Sequence, residues 1–416
     1  MAAITEETRA PPGPRANFPS RYPSGIPRPD GVLPRGVRGV LSLEDLEPAA
    51  RRHLPRFLFG FISGGVETNG AREGNRAAFT RRKLVPRVLV DTTGRSQATT
   101  LFGRTYASAF GIAPMGGVAL AAFEGDLQLA RAAAAANIPY VLSGASLVPL
   151  EAIIAANPNA WFQAYIPGDR VHIGALIERV GRAGYGTLVV TADVPVSANR
   201  ENNVRNGWSL PLRPSPTLAY ESLIHPGWLF GTWLATLRKN GMPRFENMAA
   251  SRGAPVLSAQ AERSLGSRDA LSWADMAWIR KRWAGKLVVK GLLAAEDARR
   301  AQEAGFDGII VSNHGGRQLD FSIASLDALA GVKAEAGEMT VMLDGGVRRG
   351  TDVIKAMALG ADFVFLGRPF IYAAALGAEL GARHAIALLS EEIDRDLALI
   401  GCGSLGDLDA RLVTGT

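Results

Sequence analysis

Eight short apolar runs recur along this chain, and their spacing is the strongest constraint on its fold. They occupy 109–115, 138–144, 160–165, 187–193, 286–291, 308–314, 340–346 and 362–368. Their starts fall 22 to 32 residues apart, apart from one interval of 99 between 187 and 286. Helical stretches rich in Ala, Leu, Glu and Arg separate most of them, as at 126–136, 171–183, 295–304 and 351–359. Strand followed by helix, eight times at a tight repeat, predicts an α/β chain closed into a TIM (β/α)8 barrel and not a doubly wound sheet. No G-x-G-x-x-G opens a first helix, which lowers a dinucleotide-binding sheet further.

The long interval predicts an insertion after the fourth strand, at 206–267, rich in Pro, Gly and Trp. Ser272 and Asp275 signal the start of the barrel helix that follows it, over 271–283. Within the insertion, 225–239 mixes Trp228, Trp233, Phe230 and several leucines with a basic end at Arg238 and Lys239. One reading is a helix packed on the barrel or on a neighbouring subunit. The other is a peripheral membrane contact, with both tryptophans at headgroup level and the basic end near anionic lipid.

Residues 1–40 are rich in Pro, Arg and Gly without apolar periodicity and predict a disordered arm before a barrel domain at 41–410. An N-terminal helical segment opens that domain. Ser42 and Asp45 have capping-box spacing, Pro55 opens a second helix that Gly64-Gly65 ends, and 69–79 reads as a third. The single cysteine, Cys402, excludes a disulfide framework and a cysteine-rich metal site, and no metal is expected. The net charge of +7 is spread along the chain, which suits an anionic ligand and argues against nucleic acid. No apolar run reaches the roughly 18 residues of a spanning helix, so a cytoplasmic protein, soluble or peripheral on the inner face of the membrane, is expected.

Chemistry in such a barrel sits at the carboxyl ends of the strands. The sixth run, Ile309-Ile310-Val311, breaks into Ser312, Asn313, His314, two glycines and Arg317. His314 is suited to moving a proton near neutral pH, and Arg317 to gripping a carboxylate through parallel hydrogen bonds. Asp193, from the fourth strand end, is placed to orient His314, with a helix cap or a salt bridge to Arg200 as its structural alternative. After strands seven and eight, Asp344, Gly345, Gly346, Arg348, Gly367 and Arg368 offer bare backbone and positive charge for a phosphate. Pro114, Met115 and Gly116 end strand one, where backbone can lie against a flat ligand. Ser143, Gln163, Tyr165, Thr191 and Lys290 end strands two to five. Phosphate at one side, amide and hydroxyl groups across the floor and a lysine facing them outline flavin mononucleotide (FMN).

These motifs identify a resemblance. Ser-Asn-His-Gly-Gly-Arg-Gln-Leu-Asp (312–320), Asp-Gly-Gly-Val-Arg-Arg-Gly-Thr-Asp-Val (344–353), Phe-Gln-Ala-Tyr (162–165) and Val-Lys-Gly (289–291) are similar to those of the FMN-dependent L-2-hydroxy-acid dehydrogenases and oxidases, over about 43–402. The resemblance implies oxidation of an L-2-hydroxy acid to the 2-oxo acid, with electrons passing to a quinone, another carrier or oxygen. It implies that His314 takes a proton from the substrate, that Asp193 pairs with it, and that Tyr165 contacts the substrate hydroxyl. Arg317, helped by Arg200, binds the carboxylate. The resemblance further implies that Ser143, Gln163, Thr191, Lys290, Ser312, Asp344, Arg348 and Arg368 contact FMN and that the assembly is a homotetramer.

Three departures stand out. Phe61 occupies a position where the family usually has a tyrosine that donates to the substrate carboxylate. Ala-Pro-Met-Gly (113–116) replaces the usual Ala-Pro-Thr-Ala or -Gly, and Ala198 replaces a common glycine. Phe61 keeps open a larger alcohol or an amine as substrate. A non-redox phosphate-binding barrel such as an aldolase or isomerase stays open as a rival class, whereas a silent binding module would leave the His314, Asp193 and Arg317 set without a use.

Overall fold

The computed structural model describes residues 26, 28–29, 31–166, 169–258 and 268–415. Eight strands form one all-parallel sheet: β1 (Phe110–Ile112), β2 (Val141–Ser143), β3 (Trp161–Ala164), β4 (Thr187–Thr191), β5 (Lys286–Leu292), β6 (Gly308–Val311), β7 (Thr340–Asp344) and β8 (Phe363–Leu366). Their spatial order is β1-β8-β7-β6-β5-β4-β3-β2. A parallel bridge between Ile112 and Tyr140 joins β1 to β2, so the sheet closes into the expected barrel. Ile309, Ile310, Val311, Val288, Val289 and Leu343 are fully buried. Strands covered by side chains inside and helices outside read as continuous apolar runs, which is why the runs were visible in the sequence.

Three helices precede the barrel: α1 (Leu46–His53), α2 (Arg56–Ser63) and α3 (Gly70–Arg81). The Ser42/Asp45 capping box forms, on a short 3-10 turn that runs into α1. Pro55 and Gly64 flank α2 as its caps. Residues 1–25 of the expected arm lie outside the described residues. The described part of that arm packs on the body: Val37 and Val40 are buried, and Arg28 pairs with Glu391. Val37 fits beside Gly377, where the long C-terminal helix Arg368–Ile400 breaks at Gly377 and Ala378. Burial of these valines outweighs the arm's lack of periodicity.

The insertion is largely helical: Pro216–Leu223, then Pro226–Trp228, a π-turn at Leu229–Leu234, and Ala235–Asn240. Trp228 does not sit at a surface. It is 3% exposed, its Nε1 donates to Leu120 O at 2.7 Å, and it packs on Phe57 and Trp233. That corrects the headgroup placement of this tryptophan: an indole N–H with a backbone carbonyl in reach is better satisfied in the core. Lys239 pairs with Glu124 at 3.0 Å. The exposed apolar side chains are instead Tyr220, Leu223, Ile224, Phe230 and Leu234. The capping box at Ser272 and Asp275 starts the helix Trp273–Arg280, and residues 259–267 lie outside the described residues.

Candidate active site

At the carboxyl end of β6 the chain turns through three successive left-handed residues, His314 (φ 58°), Gly315 (φ 65°) and Gly316 (φ 74°). A Cβ on Gly316 would lie 2.4 Å from the Arg72 backbone nitrogen, so this position needs glycine both for its φ and for the approach of α3. Asn313 and Asn75 of α3 exchange side-chain hydrogen bonds at 2.7 and 3.0 Å, and Asp320 accepts from the Thr68 and Ala71 backbone amides, both at 2.9 Å. The Asn, Gly and Asp of this motif therefore hold the loop, while its His and Arg face a cavity of about 660 Å³.

His314 Nδ1 meets both carboxylate oxygens of Asp193, at 3.1 and 3.2 Å. Of the two structural alternatives for Asp193, neither forms: Arg200 donates instead to Arg317 O and Gln318 Oε1. Burial pulls the His314 pKa below its ordinary value, against the attraction of Asp193, so the ring is neutral near pH 7. Burial works against the Asp193 charge, but His314 and Lys290 hold that carboxyl below the usual range. A carboxylate on Nδ1 leaves Nε2 as the proton acceptor.

Arg317 Nη1 donates to Phe61 O and Gly64 O at 2.8 Å, and Arg368 donates to Ile62 O, Gly64 O and Gly315 O at 3.0 Å. The Phe61, Ile62 and Gly64 carbonyls end α2, so two guanidiniums satisfy the negative end of that helix, while Gly315 O ties Arg368 to the loop after β6. Arg200, Arg317, Arg348 and Arg368 accept no carboxylate partner among the described residues. Burial, then the neighbouring Arg200 and Arg368, drives the Arg317 pKa well below its ordinary value, and burial brings Arg368 down to about 10. Buried cations held by carbonyls alone call for anionic ligands.

Gly345, Gly346, Arg348, Gly367 and Arg368, the residues expected to hold a phosphate, all line the cavity. A Cβ on Gly346 would lie 2.8 Å from Asn75 O, so the bare backbone there is required. Not every helix-start amide is open. Arg348 N–H and Arg349 N–H donate to Asp352 Oδ2, and Gly350 N–H donates to Glu392 Oε2, so after β7 the guanidinium and glycines carry the site.

Lys290, 4% exposed, bonds Ser312 Oγ at 2.7 Å and Asp344 Oδ2 at 3.1 Å. Burial alone would lower its pKa, but Asp344 and Asp193 raise it, so it stays charged. Ser143, Gln163, Thr191 and Ser312 are buried and not among the residues that line the cavity, and Ser143 donates to Gln163 Oε1 at 3.0 Å. Gln163 Nε2, Thr191 Oγ1 and Asp344 Oδ1 are buried without a hydrogen-bond partner. Three unpaired polar atoms on β3, β4 and β7 are costly unless a polar group meets them, and the polar edge of a flavin ring would fit that need. Pro114, Met115, Gly116 and Tyr165 line the cavity as expected, and burial raises the Tyr165 pKa.

Several lining residues escaped the sequence reading. Trp208 stacks on Phe61 with ring centroids 4.1 Å apart, and Arg317 lies 5.2 Å from the same Phe61 ring. Leu212, Phe245 and Val256 also face the cavity, and the Arg268 guanidinium sits 5.2 Å from the Tyr165 ring centroid. Trp208, Leu212, Phe245, Val256 and Arg268 all come from the long interval, whose Pro- and Gly-rich pattern carries no period that marks an inward face.

A family model described as FMN-dependent dehydrogenase matches residues 50–415. The chain is 38% identical over 371 residues to L-lactate dehydrogenase of Pseudomonas aeruginosa, covering 88% of this chain and 96% of that one. It is 36% identical over 372 residues to (S)-mandelate dehydrogenase of Pseudomonas putida, covering 89% and 93%. A crystal structure of monotopic membrane protein (S)-mandelate dehydrogenase superposes with a TM-score of 0.84 at 35% identity, covering 91% of this chain and all of that one. A mandelate oxidase structure follows at a TM-score of 0.76 and 36% identity, covering 90% and 98%. With a site of this composition at the mouth of a closed barrel, the chain belongs to the FMN-dependent dehydrogenase family.

Proposed function

We propose that this enzyme oxidises an L-2-hydroxy acid to the 2-oxo acid, with His314 as the base. The supporting observation is the His314–Asp193 pair at 3.1 Å in a cavity shared with Arg317. Arg317, with Arg200 behind it, binds the carboxylate and fixes the substrate carbon. Neutral His314 removes a proton from the substrate, and Asp193 stabilises the imidazolium that results. Tyr165 orients the hydroxyl. FMN, when bound, would supply the acceptor for the two electrons and the second proton that the substrate gives up as its carbon–oxygen single bond becomes a carbonyl. Gln163, Thr191, Ser143 and Ser312 hold the ring system, Lys290 supplies positive charge beside it, and Arg348 and Arg368 hold the phosphate. Phe61 donates nothing to the carboxylate, so the arginines carry that anion.

The acceptor is a quinone or other carrier in preference to oxygen, and the enzyme is a homotetramer that touches the membrane at the insertion. Exposed Leu223, Ile224, Phe230 and Leu234 support this, as does the likeness to a structure described as a monotopic membrane protein. No helix among the described residues is long and apolar enough to cross a membrane. Anaerobic mixing of the yellow protein with L-2-hydroxy acids tests the reaction, and reoxidation by quinone or by oxygen tests the acceptor. Retention of the yellow colour with every hydroxy acid overturns the reading. Vesicle co-sedimentation and the mass in solution test the surface and the assembly.

A further inference from the structure

The cavity has two chemically distinct parts. The barrel supplies the polar His314, Arg317, Lys290 and Asp344, whereas the segment after β4, beside Arg200, Asn203 and Arg268, supplies the apolar Trp208, Leu210, Leu212, Phe245 and Val256. We infer that this segment selects the substrate side chain, and that the preferred substrate is an L-2-hydroxy acid with a large apolar side chain. The inference rests on the proposed reaction and adds its specificity.

The apolar wall is a built surface. Leu212 N–H donates to Val256 O at 3.0 Å and Val256 N–H to Pro243 O at 2.9 Å, while Arg244 bridges Pro255 in antiparallel fashion. These bonds tie the two ends of the insertion together over the cavity, and Leu212, Phe245 and Val256 are each less than a tenth exposed. The wall is also fixed to α2, because Asn206 Oδ1 accepts from Arg56 Nε at 2.9 Å and Asn202 Nδ2 donates to Gly60 O at 2.6 Å. Trp208 then stacks on Phe61. A tyrosine at 61 would place a hydroxyl in this cavity, whereas phenylalanine keeps its rim apolar. Gly116 and Ala145, after β1 and β2, also line the cavity and are small: a Cβ on Gly116 would lie 3.0 Å from that of Ala145. Small residues in the same cavity as a hydrogen-bonded apolar wall leave room for a side chain and reward its burial. A methyl group would leave most of that wall against water.

Each methylene buried is worth about fourfold in kcat/KM. The test is a series of L-lactate, L-2-hydroxybutyrate, L-2-hydroxyhexanoate and L-2-hydroxyoctanoate, read as anaerobic reduction of the holoenzyme. The expected rise from lactate to 2-hydroxyhexanoate is about 60-fold. Calorimetric binding of acetate, butyrate and hexanoate, which do not react, should show the same slope in Kd. Trp208→Ala and Val256→Ser should each flatten both slopes at least about fivefold, and Trp208→Phe, which keeps the stack on Phe61, by less. A flat series, or one that favours lactate, overturns the inference and leaves hydroxy-acid oxidation standing. Reduction by none of the four overturns both.

Discussion

Replacing Asp193 with asparagine isolates the part of the site that sets the base. In the native protein both carboxylate oxygens lie within 3.2 Å of His314 Nδ1, with side chains only 18% and 12% exposed, so solvent screens the pair little. Once protonated, the ring gains a charge-assisted hydrogen bond that asparagine supplies only in neutral form. Such a bond is worth about 1.5–3 kcal/mol, or roughly ten- to a hundredfold in rate. The sign follows from the site. Burial already lowers the His314 pKa and Asp193 opposes it, so removing the charge lowers the pKa further. Activity requires neutral His314, so kcat/KM rises with pH through that pKa. In Asp193→Asn the acid limb should move down by about one to two units while the plateau falls roughly ten- to a hundredfold. Anaerobic stopped-flow flavin reduction between pH 4.5 and 9, normalised to FMN content, measures both. An acid limb that stays in place, or moves up, would refute Asp193 as the group that stabilises the imidazolium.

Arg317→Lys keeps the charge but cannot serve the α2 carbonyls and a carboxylate together, so KM should rise roughly tenfold or more in steady-state assays. Lys290→Met leaves Asp344 buried without its cation, and a loss of about 3–5 kcal/mol in denaturant unfolding, with weaker FMN retention, is expected. Asp126 is fully buried, with Oδ2 unpaired, and burial lifts its pKa to about 7. Because its folded pKa lies above its unfolded one, the folded state is favoured below pH 4 and loses that advantage as pH rises through about 7. Asp126→Asn should therefore raise Tm relative to the parent more at pH 8 than at pH 5, read by differential scanning calorimetry. Trp228→Ala should cost about 3–5 kcal/mol of stability in chemical denaturation, because the indole is core and not a membrane anchor.

The motifs of the strand ends were legible because a barrel converts sequence order into place. Once eight parallel strands are recognised, the residue after each one is known to face the mouth. His314, Arg317, Lys290, Asp344 and Arg348 needed nothing more. Even within those motifs, roles divide in ways that composition hides. Asn313, Gly316 and Asp320 look as polar as their neighbours, yet they fasten α3 to the loop, and Asp352 occupies amides that a phosphate was expected to take.

The sequence by itself determined the barrel, the cofactor and the strand end that carries His314 and Arg317 to one cavity, since each depends on short-range patterns repeated in a fixed register. Only the tertiary structure decided what the insertion does. Trp208, Leu212, Phe245 and Val256 are far apart in an irregular segment, and hydrogen bonds between its two ends bring them to one wall. The same holds for Trp228, whose indole is exposed or buried according to whether a carbonyl such as that of Leu120 is within reach. Regular elements project side chains at known intervals, so their faces can be read in advance. A loop has no such period, and the direction of its side chains is fixed only by what it folds against.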